Sequence, residues 1–102
     1  MTASAKYLVV IELRADTSLD DLKRRVPALR DVLSRLAQGK IENAFYSTRL
    51  FGTFLEAVVS PDILRAELDK ATSNGDCFMI VEVGECAGHK GMGRAATWLE
   101  RR

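Results

Sequence analysis

The stretch Lys6–Arg14, KYLVVIELR, constrains the fold more than any other part of the chain. Its apolar run is interrupted by one carboxylate, Glu12, and is too short to span a bilayer. β-branched and aromatic side chains dominate it, which favours a pleated strand over a helix. On a period of two, Tyr7, Val9, Ile11 and Leu13 point one way and Leu8, Val10 and Glu12 the other. Both faces are largely apolar, so the segment is expected to be a central strand covered on both sides.

The following segments supply its partners. Ser18 is a good helix N-cap, with Asp21 at the third helical position. Leu19, Leu22, Val26, Leu29, Leu33 and Leu36 then recur at steps of three and four, the stripe of an amphipathic helix. Pro27 removes one backbone donor, but the stripe keeps its phase across it, so one kinked helix ending at Gly39 is predicted. Lys23-Arg24-Arg25 reads as a solvated face, because Asp20 and Asp21 lie four residues before Arg24 and Arg25.

Ile41–Phe51 is rich in aromatic and β-branched residues and reads as the second strand, with Gly52 near a turn and Thr53–Ser60 as the third. Ser60-Pro61-Asp62 is a helix start: a cap, a proline at the first position and an acid in the first turn. Ile63, Leu64, Leu68 and Ala71 form the buried side of that helix, which is expected to stop at Asn74-Gly75. The fourth strand is Cys77–Glu85, with Cys77 as a buried thiol.

Strand, helix, strand, strand, helix, strand is the split βαβ arrangement. It predicts an α+β, ferredoxin-like βαββαβ domain over residues 1–85. Its four-stranded antiparallel sheet has the order 4-1-3-2, with two helices on one face. Residues 86–102 follow as a glycine-rich connector and a C-terminal docking tail carrying His89, Lys90, Arg94, Trp98 and Leu99.

Two helices cover only one face of such a sheet. If Val9, Ile11, Met79, Val81 and Val83 take the helix side, then Leu8, Val10, Phe78 and Ile80 lie on the other, joined by Phe54 and Val58. A contiguous apolar patch of that kind marks an interaction surface. The expectation is a homodimer packed sheet against sheet, or a tail folded over the sheet, with Trp98 docking on the domain or on a neighbouring subunit. Glu12, Glu56 and Glu82 share the patch's parity and are expected at its rim.

Composition narrows the function classes. Fifteen basic side chains nearly balance fourteen acidic ones over 102 residues, so there is no global basic footprint for nucleic acid. Two cysteines without CxxC spacing give neither a disulfide framework nor a zinc site. No signal-peptide pattern or membrane span is seen, and a cytoplasmic location is the expectation.

Four features carry a resemblance to a known family: YLVVIEL ending near an acid, Gly52-Thr53-Phe54-Leu55-Glu56 running into Ser60-Pro61-Asp62-Ile63-Leu64, an Asn74-Gly75-Asp76 turn entering CFMIVEVGE, and a tail ending in Trp98-Leu99. In these the chain resembles the small CRISPR-associated adaptation proteins of the second family and their SinR-like relatives. The resemblance implies a small ferredoxin-like homodimer associated with RNA or DNA. It also implies an alternative, a divalent-metal-dependent endoribonuclease in which Glu12 holds Mg²⁺ or Mn²⁺ as the catalytic carboxylate. Arg14 or Arg49 would then steady phosphate, and Arg14, Arg49, Lys90 and Arg94 are the candidate nucleic-acid contacts. A third reading is a protein-interaction or assembly module that uses the apolar sheet face without nucleic acid.

Overall fold

The computed structural model describes residues 4–84, 90 and 93–100. It is an α+β structure with the order β1 (Ala5–Glu12), α1 (Leu19–Leu36), β2 (Ile41–Ser47), β3 (Leu50–Ala57), α2 (Pro61–Ala71), β4 (Cys77–Glu82) and α3 (Gly93–Glu100). The four strands form one antiparallel sheet in the order β2-β3-β1-β4, which read from the opposite edge is 4-1-3-2. This arrangement is compatible with the ferredoxin-like expectation.

Local chemistry explains most boundaries. Ser18 Oγ accepts the backbone N–H of Asp21 at 3.1 Å and starts α1. The helix runs unbroken through Pro27 to Leu36, because Leu22, Val26, Leu29 and Leu33 lie along one buried face that spans the proline. Leu19, expected in that stripe, is exposed. Ser60 caps α2 in the same way, through the N–H of Ile63 at 3.3 Å. That helix ends at Ala71, short of Asn74-Gly75. The Thr72 hydroxyl and N–H both donate to the Leu68 carbonyl, at 2.7 and 2.9 Å, which turns the chain early.

Other boundaries differ from expectation. The turn expected near Gly52 lies earlier: the predicted second strand, Ile41–Phe51, holds β2, the turn and the first two residues of β3, and Gly52 is inside β3. Ser47 pairs with Leu50 across a two-residue turn in which Thr48 takes φ +33°. β4 ends at Glu82, and Cys77 is exposed where a buried thiol was expected. Glu85, Cys86 and His89 lie outside the described residues.

The main core lies between the sheet and the α1/α2 layer. Tyr7, Val9 and Ile11 of β1, Phe51 and Leu55 of β3, Leu22, Val26, Leu29 and Leu33 of α1, and Leu64 and Leu68 of α2 form one buried cluster. The facing of β4 is the reverse of the sequence expectation. Val9 pairs with Ile80 and Ile11 with Phe78, and residues opposite each other share a face. Phe78 and Ile80 therefore pack against the helical core, while Met79 and Val81 turn to the other face. The pleat of an isolated β4 is the same in either orientation; only its register with β1 decides which set is buried.

Candidate interaction surface

The face away from α1 and α2 is half covered. Helix α3 lies across it, and Ala95 and Trp98 join Phe54 in a second buried cluster, with Leu8, Ala44, Val83 and Leu99 packed around it. The Trp98 and Phe54 rings stack at 5.9 Å with 22° between their planes. Of the two places expected for Trp98, it occupies the first: it docks on its own domain. That contact also consumes Leu8 and Phe54, which were expected in a subunit interface. Val58 lies past the end of β3 and is half exposed, outside this cluster.

Two basic side chains, Lys6 and Arg94, seat α3. Lys6 Nζ donates to the carbonyls of Trp98 and Leu99, at 3.1 and 2.6 Å, and lies 5.1 Å from the Trp98 ring centre. A cation there satisfies the last carbonyls of the helix and opposes the negative end of its dipole. At the other end Arg94 Nε meets Glu42 Oε1 at 3.2 Å. Replacing Lys6 by methionine keeps the stem and removes the charge. We expect α3 docking to weaken by about 1–2 kcal/mol. Trp98 is the single tryptophan, so its fluorescence reads this directly. Red-shifted, more quenchable emission in Lys6→Met is the expected result, and an unchanged spectrum would contradict it.

The other half of the face is bare. Cross-strand pairing places Phe45, Gly52, Val10 and Met79 in one row across all four strands. Phe45 is 40% exposed, Met79 54%, and the flanking Val81 and Leu50 39% and 36%. Gly52 makes the row flat. A Cβ there would collide with the Phe45 ring, so only glycine lets that ring lie over β3. Sequence reasoning placed Val10 on this surface but missed Phe45, Leu50, Met79 and Val81. The register with β1 and the bulge between Asn43 and Phe45 set their facing, and neither is visible in local pattern.

Glu12 sits at the exposed end of this face, opposite Leu50 on β3 and Cys77 on β4. Among the described residues there is no cluster of three or more His, Cys, Asp or Glu side chains that could hold a metal. The expected phosphate-binding arginines are engaged elsewhere. Arg49 donates from Nε and Nη2 to the Thr17 carbonyl at 3.1 and 2.7 Å, clamping the β1–α1 connection. Arg14 pairs with Asp16 at 3.0 Å, and its side chain packs against Gly75. Arg94 is on Glu42, and Lys90 is exposed. The structure brings Glu12, Arg14 and Arg49 to one end of the sheet, and Arg94 lies on α3 apart from them.

An open cleft beside this end is lined by Arg14, Asp16, Thr17, Asp21, Arg24 and Arg25. Its cations are matched one by one: Arg14 with Asp16, Arg24 with Asp21 at 2.8 Å, and Arg25 with Asp76. The pairing expected at a spacing of four is replaced by these. Arg25 reaches across to the turn before β4 instead of back along α1. Burial pushes the Asp76 carboxyl up, but hydrogen bonds from Arg25, Ser73 and Arg14 outweigh it and hold the group below its ordinary 3.8. These are structural ties.

Among the described residues no helix is long and apolar enough to cross a membrane. No family model and no curated protein matches the chain. A solved structure described as a protein of unknown function from Nitrosomonas europaea, NE2512, is similar at a TM-score of 0.45 and 12% identity. The match covers 89% of this chain and all of the other.

Proposed function

We propose that this protein is a ferredoxin-like assembly module that works as a homodimer, similar in type to the SinR-like proteins it resembles in sequence, and that its contact surface is the uncovered half of the sheet. One observation carries the reading: the bare apolar row Phe45–Gly52–Val10–Met79, flanked by Val81 and Leu50 and left open by α3. An apolar row bordered by the carboxylate of Glu12 suits a protein partner better than a polyphosphate, which is attracted by cations. The arginines at that end are held by Asp16 and by the Thr17 carbonyl, which further favours protein over nucleic acid.

The exposed position of Glu12 at the end of the same face favours a second reading, the Mg²⁺- or Mn²⁺-dependent endoribonuclease. There Glu12 would need carboxylates from a second copy to complete the oxygen-rich shell these cations prefer. Both readings are tested together by sedimentation over a concentration series and by a gel assay with labelled RNA and DNA, with metal or chelator. The expected result is a mass of two chains with neither cleavage nor salt-sensitive binding. A single-chain mass at every concentration would overturn the dimer. Metal-dependent cleavage lost in Glu12→Ala would put the nuclease first.

A further inference from the structure

The two edges of the sheet are built differently. β2 is blunted: its register shifts between Asn43 and Phe45, and Glu42 is tied to Arg94. Bulges and charges of this kind keep an edge from pairing. β4 has no register shift, and its one charge, Glu82, stands at its last position. It pairs with β1 at every position from Cys77 to Glu82 without a shift, contains no proline or lysine, and reads Cys-Phe-Met-Ile-Val-Glu.

The outward backbone groups of β4 follow from bonds on its inner side. The Val83 N–H donates to the Lys6 carbonyl at 2.9 Å, so Lys6 and Val83 form a hydrogen-bonding pair. Such pairs alternate along an antiparallel ladder. Cys77, Met79 and Val81 therefore direct their backbone groups to β1, and Phe78, Ile80 and Glu82 direct theirs away from the sheet. The far side of β1 agrees. There the Leu13 N–H donates to the Arg49 carbonyl at 2.8 Å, which assigns the odd-numbered residues of β1 to β3 and leaves the even-numbered ones for β4. Among the described residues no backbone hydrogen bond reaches the outward groups of Phe78, Ile80 or Glu82.

We propose that two copies of the chain join at this edge. β4 pairs antiparallel with β4 of a second copy across a two-fold axis at Ile80, so that the two sheets continue as one. The proposal rests on the homodimer reading and moves the joint between copies from the bare half-face to the β4 edge that borders it, leaving the merged half-faces as the contact surface of the assembly. Two conditions select the register. Facing residues must lie on the same side of the continued sheet, and outward groups must meet outward groups. With the axis at Ile80, Ile80 pairs with itself and Phe78 pairs with Glu82 in both directions, so every outward residue of β4 is used. Moving the axis to Met79 sets Asp76 against Glu82, two carboxylates. Moving it to Val81 leaves Phe78 without a strand partner. In the selected register Met79 faces Val81 of the second copy on the bare side, and the two bare rows merge into one apolar surface. A self-complementary edge whose facing pairs are apolar, or apolar against a single charge, suits a second copy of this chain.

The test is a mixed cross-link in full-length protein with Cys77 and Cys86 replaced by serine. Met79→Cys chains are mixed with Val81→Cys chains and oxidised. In this register the two sites form a non-hydrogen-bonding pair with Cα atoms about 4.5 Å apart, within disulfide reach. Two Met79 sites lie on the diagonal, about 7–8 Å apart, beyond it. The mixed sample should cross-link at least about tenfold faster than either protein alone. Glu82→Pro provides a second reading. It removes an outward N–H and leaves the bonds to β1 intact, so the dissociation constant should rise about tenfold or more. A two-chain mass without the mixed cross-link, or with Met79→Cys linking to itself faster, overturns the edge joint and leaves the homodimer standing. A single-chain mass at every concentration overturns both.

Discussion

Replacing Asp76 by alanine should destabilise the fold by about 3–5 kcal/mol, the loss typical of removing one partner of a shielded ion pair. The Asp76 side chain is fully shielded and that of Arg25 is 20% exposed. Its carboxylate accepts the Arg25 guanidinium, the Arg14 N–H at 3.0 Å and the Ser73 N–H at 2.8 Å. One side chain thus ties α1, the end of β1 and the turn before β4. Truncation leaves a largely shielded cation and two backbone donors without their acceptor, which is why the loss exceeds that of an exposed pair. Urea denaturation measures it, and a change below about 1 kcal/mol would show the contact to be ornamental.

The same carboxylate makes an acid-side prediction. Its folded pKa lies below 3.8, so the unfolded chain takes up the proton first as pH falls. Stability then increases with pH across that window. The contribution is complete above about pH 5 and is lost as pH drops through the folded value. Asp76→Asn should flatten the acid limb of a stability–pH curve while lowering stability at neutral pH.

Phe51→Ala is the second large effect, expected at about 3–5 kcal/mol from lost transfer energy and an unfilled cavity. Phe51 is fully buried, pairs with Ile11 across β1 and lies 5.8 Å from the Arg30 guanidinium. For a domain of this length the melting temperature should fall by roughly 15 °C or more. Phe51 points to the helical layer and Trp98 lies on the other face, so the native tryptophan spectrum should be nearly unchanged while the unfolding midpoint moves. A large spectral change in the folded variant would mean that the two clusters are coupled through the sheet.

Much of the fold was legible because strong local signals agreed. KYLVVIELR could be little other than a central strand, and Ser18 and Ser60-Pro61 mark two helix starts that the capping hydrogen bonds match. The β2–β3 hairpin was expected, but its turn was placed near Gly52, because the actual turn, Thr48-Arg49, carries none of the Gly, Asn or Asp residues that announce a positive φ. The surface was harder to read than the fold. Val10 was placed correctly, but Phe78 and Ile80 were exchanged for Met79 and Val81, since a strand alternating between two apolar sets gives no hint of which one faces the core.

By itself, then, the amino-acid sequence determined the types of the first six elements, the central place of β1 and most of the apolar stripes of α1 and α2, because periodicity and caps act within a few residues. It did not show α3 as a helix, and Leu19 and Ile63, expected in the stripes, are exposed. The tertiary structure alone decided the facing of β4, the docking of Trp98 on Phe54, the partner of Arg25 and the engagement of Arg49 and Arg94. Each of these depends on register or on residues far apart in the chain, such as Arg25 with Asp76 and Lys6 with Trp98. A one-residue slip between strands would reverse the face of every side chain, and no local pattern records the register that prevents it.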